Sequence, residues 1–443
     1  MRRPFSPEAF PVFSRDGRQG KARIPKSKRI FSVIGRRPER FFDMEPTQPI
    51  QETVSVSQFG AAGGGIADDA PAVQAALFSG ARRVVIPAGT YRLGAPLRVP
   101  SHIRIEAAPD AVLILADGVC HTRDDALLTN ADLQNGNEDI SVRGGIWDGN
   151  NPGNPRPQGG LYGEGYTGAC FRFLNVSGLS LAALTLRDPE GYYICLGGVR
   201  DFQIRDIRLL AEHLRPNQDG IHLGGFCENG EIFGVSGEGS APNDDLLALN
   251  ADDCVDRVTN LGLRRGPIRS IRAGGLRAES CHAFLRILSV DSPVENVCVD
   301  GVRGGFRSNA VNLDAARYCR TPLFEDAPGV HVGKLRGVGL SDFHVYKTLC
   351  GDGPYLQLET DAQRFTIAGF IRDSQRDAAP GAPTLLLRKT GAAAPSLTGA
   401  DETALTSAGG ARLVSAGGRI EAKVPAGGSL CLGAGGFDLF SIL

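Results

Sequence analysis

From residue 54 onward the chain alternates apolar and polar positions in short runs, the period-two signature of strands that bury one face. The clearest runs are apolar-x-apolar triplets: Phe171-Arg-Phe173, Ile194-Cys-Leu196, Ile221-His-Leu223, Leu247-Ala-Leu249 and Val311-Asn-Leu313. Their first members lie 23, 27, 26 and then 64 residues apart, and the last gap leaves room for one more at Leu285-Arg-Ile287. Longer runs fall between them, at Leu179–Leu186, Phe202–Leu209 and Gly230–Val235. A strand-built period of 20–30 residues means stacked coils, each able to bury its apolar face only on its neighbours. Propeller blades need ~40–45 residues. The pattern therefore predicts an all-β chain, a right-handed parallel β-helix over residues 51–375.

One helical period precedes the strands. Asp68 and Asp69 offer N-caps, Pro71 sits in the first turn, Val73, Ala76 and Leu77 follow at helical spacing, and Gly80 closes it. Such a helix would cap the first coil, whose core is otherwise exposed. At the other end, residues 376–400 are rich in Ala, Pro and Gly and read as a linker. Leu413-Val414, Arg419–Val424 and Ser429–Leu432 read as a small terminal β-element within 376–443.

Residues 1–50 break the pattern. The first 43 carry twelve Lys or Arg against four acids and no periodicity, and Met44 stands just before the ordered pattern begins. A disordered extension or an over-extended start site fits this, with a basic targeting arm as the sharper alternative. The apolar core of roughly 7–15 residues that a secretory signal needs is missing. Ten cysteines occur singly, several inside strand runs, as buried free thiols do. Both features favour the cytoplasm, with secretion or a periplasmic home if the start is misassigned. A net charge of −1 gives no electrostatic footprint for nucleic acid or a membrane surface.

The candidate chemistry comes from stacking equivalent positions. If Ile221, Leu247 and Val311 point inward, Asp219, Asp245 and Asn309 occupy matching places two residues earlier, with Asp244 adjacent. Neighbouring coils lie ~4.8 Å apart, so the three carboxylates should crowd one patch. Like charges at that distance push one carboxyl to keep its proton, which suits glycoside hydrolysis by one acid and one base. The plainer alternative is that each Asp or Asn caps a turn. No lysine occurs between Arg29 and Gly333, so any counter-charge must come from arginine.

The order of motifs resembles a known family. Val54-x-x-x-x-Phe-Gly-Ala61 and Ala67-Asp-Asp-Ala-x-Ala-Val-Gln-Ala-Ala-Leu77 resemble the opening of pectin-lyase-like β-helix proteins. Gly144-Gly-Ile-Trp-Asp-Gly-Asn150, Asp188-Pro-x-x-Tyr192-x-Ile194, Asn217-Gln-Asp-Gly-Ile221 and Asn243-Asp-Asp245 resemble, in order, segments of polygalacturonases, the family 28 glycoside hydrolases. The likeness spans roughly residues 54–320. It implies that Asp244 is the general acid and that Asp219 and Asp245 activate water, with inversion at the anomeric carbon. Where the family has Gly-His-Gly this chain has Cys281-His282-Ala283, which makes His282 the matching catalytic residue and His222 its rival. Where the family has Arg-x-Lys it has Arg307-Ser308-Asn309, leaving Arg307 to grip a carboxylate alone. Asn217, His222, Tyr192, Arg286, Arg307 and Asn309 are the expected substrate contacts. Arg172 and Arg286 either face the cleft or are solvated strand residues, and Tyr192 either stacks on a sugar or covers the sheet.

The expected function is an inverting glycoside hydrolase acting on a pectin-like or other acidic poly- or oligosaccharide, with no cofactor or metal. The alternatives are a polysaccharide lyase or epimerase on the same fold, or a non-catalytic, glycan-binding, tailspike-like β-helix. Trimerisation is left open.

Overall fold

The computed structural model describes residues 52–388 apart from 121–124, 157–167, 253–261, 315–332, 361 and 374, together with the backbone of four strands between 407 and 437. The basic segment 1–50 lies outside the described residues, as do residues 389–400 of the expected linker. Among the described residues no helix is long and apolar enough to cross a membrane.

The strands wind into three parallel stacks. One begins Thr53–Ser55, Arg83–Ile86, Ile103–Ala107 and Asn137–Arg143, and a second Gly64–Asp68, Gly89–Leu93, Ala111–Leu115 and Ile146–Asp148. The third carries the triplets: Leu97–Val99, Ala126–Asn130, Ala169–Leu174, Ile194–Gly197, Ile221–Leu223 and Asp245–Asn250 pair in turn. It continues through Ile268–Leu288, Val294–Asp314 and Leu356–Leu358 to Leu385–Arg388. That last strand falls within the stretch expected to be a linker and adds a further parallel coil. Among the described residues, antiparallel pairs arise only where the terminal strands Ser407–Ala408, Arg412–Ala416, Arg419–Lys423 and Ser429–Phe437 join the sheet.

The triplets stack as their periodicity predicts. Phe171, Ile194, Ile221, Leu247, Leu285 and Val311 are consecutive partners and fully buried. Leu285-Arg-Ile287 fills the gap left for it.

The long strands turn corners without breaking because one residue per coil takes a left-handed conformation. Ala183, Asp206, Gly234, Gly275, Gly301, Asp342 and Gly369 align at one corner, with φ between 53° and 73°. Gly and Asp tolerate that region, whereas Ala183 is strained there.

The cap helix spans Ala70–Leu77 and buries Val73, Ala76 and Leu77. Its N-cap residue Asp69 makes no capping bond. Its carboxylate accepts from Ala62 N (2.6 Å) and Gly63 N (3.1 Å), while Asp68 Oδ1 accepts from Ala70 N at 3.0 Å. The helix ends at Phe78, two residues before Gly80.

Trp147 is fully buried, donates to Gly144 O at 2.9 Å and meets Phe171 edge-on at 4.9 Å. Asp148 pairs with Arg187 at 2.5 Å, and Asn150 donates to Leu115 O at 2.9 Å. In this chain the Gly144–Asn150 motif is scaffold.

Candidate active site

The candidate residues occupy a row of matching positions at the strand starts, two residues before the inward Ile221, Leu247, Leu285 and Val311. Asp245, Ala283 and Asn309 are direct partners there, and Gly220 N donates to Asp245 O at 2.8 Å, which sets Asp219 beside Asp245. Asp244 and His282 form a parallel line one residue earlier, because Asp244 N donates to Gln218 O and His282 N donates to Asp244 O, both at 3.2 Å. His282 therefore sits one coil beyond Asp244.

One carboxylate oxygen from each of Asp219, Asp244 and Asp245 lies within 4.8 Å of the other two. Asp219 and Asp245 are 4% and 3% exposed, and Asp244 is half-buried on the open side. Burial, offset by the His222 hydrogen bond and reinforced by the Asp244 charge, raises the Asp219 carboxyl to about 6. Burial and then the carboxylates of Asp244 and Asp219 push Asp245 well above the usual range, with Arg286 pulling the other way. Such a trio retains a proton at mildly acidic pH that belongs to the group rather than to one residue.

The surrounding cations are tethered. Arg286 donates through Nε (3.0 Å) and Nη2 (2.7 Å) to Asp314 Oδ2, and its Nη1 lies 3.9 Å from Asp245. Arg307 donates to Asn243 Oδ1 at 2.8 Å, to Asn243 O at 3.1 Å and to Ser280 O, bracing the turn that carries Asp244. Burial lowers the pKa of His282 while Asp244 raises it, and the ring keeps an exposed face.

Other expected contacts sit deeper. His222 is 1% exposed, with Nδ1 2.6 Å from Asp219 Oδ2 and Tyr192 packed on its ring at 4.4 Å. It lies in the outward column between Ile221 and Leu223, as expected, and its Nδ1 is engaged with Asp219. Tyr192, half-buried, covers His222 and the sheet. Asn309 donates to Pro354 O at 2.7 Å and is buried, so it pins a loop. Asn217 adopts φ 60° and leaves its Oδ1 buried without a hydrogen-bond partner, one residue before the Gln218–Asp244 line. Arg172 is buried two coils before His222, in the same outward column.

Sequence reasoning missed Asn243 as the acceptor that holds Arg307, and Asp314 as the partner of Arg286. Asp314 follows Val311-Asn-Leu313 directly, so extending the outward column by one position would have found it.

The same three oxygens have the hard-donor chemistry to hold a divalent cation. A second such group among the described residues, Asp188, Glu212 and His213, is knitted by hydrogen bonds from Glu212 N (2.8 Å) and His213 N (3.0 Å) to Asp188 Oδ1.

No family model matches the chain. Over 100 residues it is 35% identical to the preneck appendage protein of Bacillus phage PZA, a match covering 22% of this chain and 11% of that protein. The matched part thus spans about a tenth of the curated relative's length. Among solved structures, the N-terminal fragment of bacteriophage phi29 gene product 12 aligns over 76% of this chain and 60% of its own, at 16% identity and a TM-score of 0.53. The family 28 exopolygalacturonase of Yersinia enterocolitica aligns over 72% and 75%, at 15% identity and a TM-score of 0.45. At 16% identity the likeness to the phi29 fragment shows the fold alone: the chain is a right-handed parallel β-helix.

Proposed function

We propose that the protein hydrolyses glycosidic bonds in an acidic, pectin-like poly- or oligosaccharide. The observation that carries this reading is the convergence of Asp219, Asp244 and Asp245 within 4.8 Å, two of them raised by burial and mutual repulsion. Glycoside hydrolysis needs a proton for the leaving oxygen and a carboxylate to activate water. Asp244, the member open to solvent, donates the proton. Asp219 and Asp245 hold the attacking water. Two oxygens up to 4.8 Å apart suit one bridging water at ~2.8 Å from each.

That spacing is shorter than the ~6.5–9.5 Å between the two carboxyls of most inverting enzymes. Here the third acid lets water sit between two carboxylates while the proton comes from another, which supports inversion without a wide pair. His282 flanks Asp244 and steadies the carboxyl as it cycles. Arg286 and Arg307 give the groove the cationic edge that an acidic sugar requires.

A panel of pectic and neutral glycans, read by reducing-end release, tests the reading. Turnover confined to uronate-containing glycans and abolished by Asp244→Asn is expected. Unchanged turnover in Asp219→Asn, Asp244→Asn and Asp245→Asn alike would remove the trio from the chemistry.

A further inference from the structure

The trio lies at a boundary on the outer face of its sheet. On the side of earlier coils, Ala169, Leu174, Tyr192 and Cys195 form an apolar cluster with Leu263. Leu263 arrives from a distant part of the chain and is 8% exposed. On the side of later coils the outward positions are polar and reach solvent, as at Arg286, Asn312 and Gln357. Among the described residues the outer face is thus covered by Leu263 around Cys195 and Tyr192, and carries solvent-reaching polar side chains at Arg286, Asn312 and Gln357 on the later coils.

The cover fits its seat closely. A Cβ built at Gly197 or Gly224 would lie 2.6 or 3.0 Å from Leu263 Cδ2, so the leucine rests close against the bare backbone at those outward positions. The segment that carries Leu263 is also pinned along its length. Gly266 N donates to Ala251 O at 3.0 Å, and Phe226 N donates to Pro267 O at 2.7 Å. Arg264 donates to Asn175 Oδ1 at 3.2 Å and lies over the Phe226 ring at 4.9 Å. Arg265 bridges Asp252 (3.3 Å) and Asp291 (2.8 Å), and Asp252 is itself buried and held by the backbone N–H groups of Val290, Asp291 and Ser292. Apolar packing and anchored ion pairs hold this segment in place as a wall.

From this geometry we infer that residues 262–267 wall off the groove beside the trio, so that a glycan enters from the later coils only, ends at Asp219, and is shortened from one terminus. From Asp245 to the coil of Leu356–Leu358 the open side runs three coil spacings, about 14 Å. The bond cut is the one at the trio, between the terminal unit or units and the remainder, with water supplying hydroxyl to one fragment and hydrogen to the other. The inference deepens the hydrolase reading and rests on it.

The test uses the full chain on polygalacturonate and on reducing-end-labelled oligogalacturonides, with product sizes and viscosity followed from the first few per cent of turnover. A single short product from the outset and nearly constant viscosity are expected. A ladder of intermediate sizes at early times would overturn the wall while leaving the hydrolase reading intact. Absence of turnover on every glycan would overturn that reading and this inference together. Leu263→Ala, checked for an unchanged melting profile, is expected to raise the share of intermediate products severalfold while short oligosaccharides turn over at near wild-type rate. An unchanged product profile in that variant overturns the assignment of the wall to Leu263.

Discussion

Removing the His222 imidazole isolates the electrostatics of the site in one step. His222 Nδ1 lies 2.6 Å from Asp219 Oδ2, and both side chains are almost wholly buried. Burial alone would drive the Asp219 carboxyl further up; this hydrogen bond is the largest opposing influence and leaves it at about 6. A hydrogen bond to a charged group contributes roughly 1.5–3 kcal/mol. At 1.36 kcal/mol per pH unit, its loss should raise the carboxyl by about one to two units. If Asp219 must be ionised to activate water, His222→Ala shifts the acid limb of the pH–rate profile upward by that amount. His222→Gln, which can restore a donor, recovers part of the shift. The assay is reducing-end release from pH 4 to 9, with thermal melting confirming the fold. An acid limb that stays in place while the rate falls would refute the link between His222 and Asp219 ionisation and leave the imidazole as packing beneath Tyr192.

Further outcomes follow from the same geometry. A carboxyl raised from 3.8 to about 6 binds more protons folded than unfolded, so stability is fully present below pH 4 and falls as pH rises through 6, by about 3 kcal/mol; Asp219→Asn should flatten that part of a melting-temperature profile. Asp244→Asn should lower turnover by about 10²–10⁴-fold, the usual share of general acid catalysis, with little change in melting. Arg307→Ala should reduce kcat as well as weaken binding, because the guanidinium braces the Asp244 turn through Asn243; a pure KM effect would contradict that bracing role. Ala183→Gly, at a corner that six other coils turn with Gly or Asp, should stabilise the protein by about 0.5–1 kcal/mol in denaturant melts.

Much of this was legible in the sequence because a solenoid repeats its constraints. Each apolar-x-apolar triplet must bury the same two positions on its neighbours, so Ile221, Leu247 and Val311 report the register of everything between them. Placing Asp219 beside Asp245 needed only that register, and Leu285-Arg-Ile287 could be found from a gap length. What spacing could not report is contact made across the coils. Leu263 lies about 66 residues from the Gly197 that receives it, with no periodicity to connect them. His222 shows the same limit: alternation puts it outward, yet Tyr192 on the adjacent coil packs over it. The Gly144–Asn150 motif shows that a recognisable segment can serve scaffold alone, since its tryptophan points into the core.

The central claim, that the acidic trio cleaves glycosidic bonds by direct attack of water, is tested most directly by proton NMR of the newly formed reducing end in the first minutes of reaction. Product released with inverted anomeric configuration, lost in Asp244→Asn, is the predicted result. A retained configuration, or a product carrying the unsaturated uronate of a lyase, would contradict it.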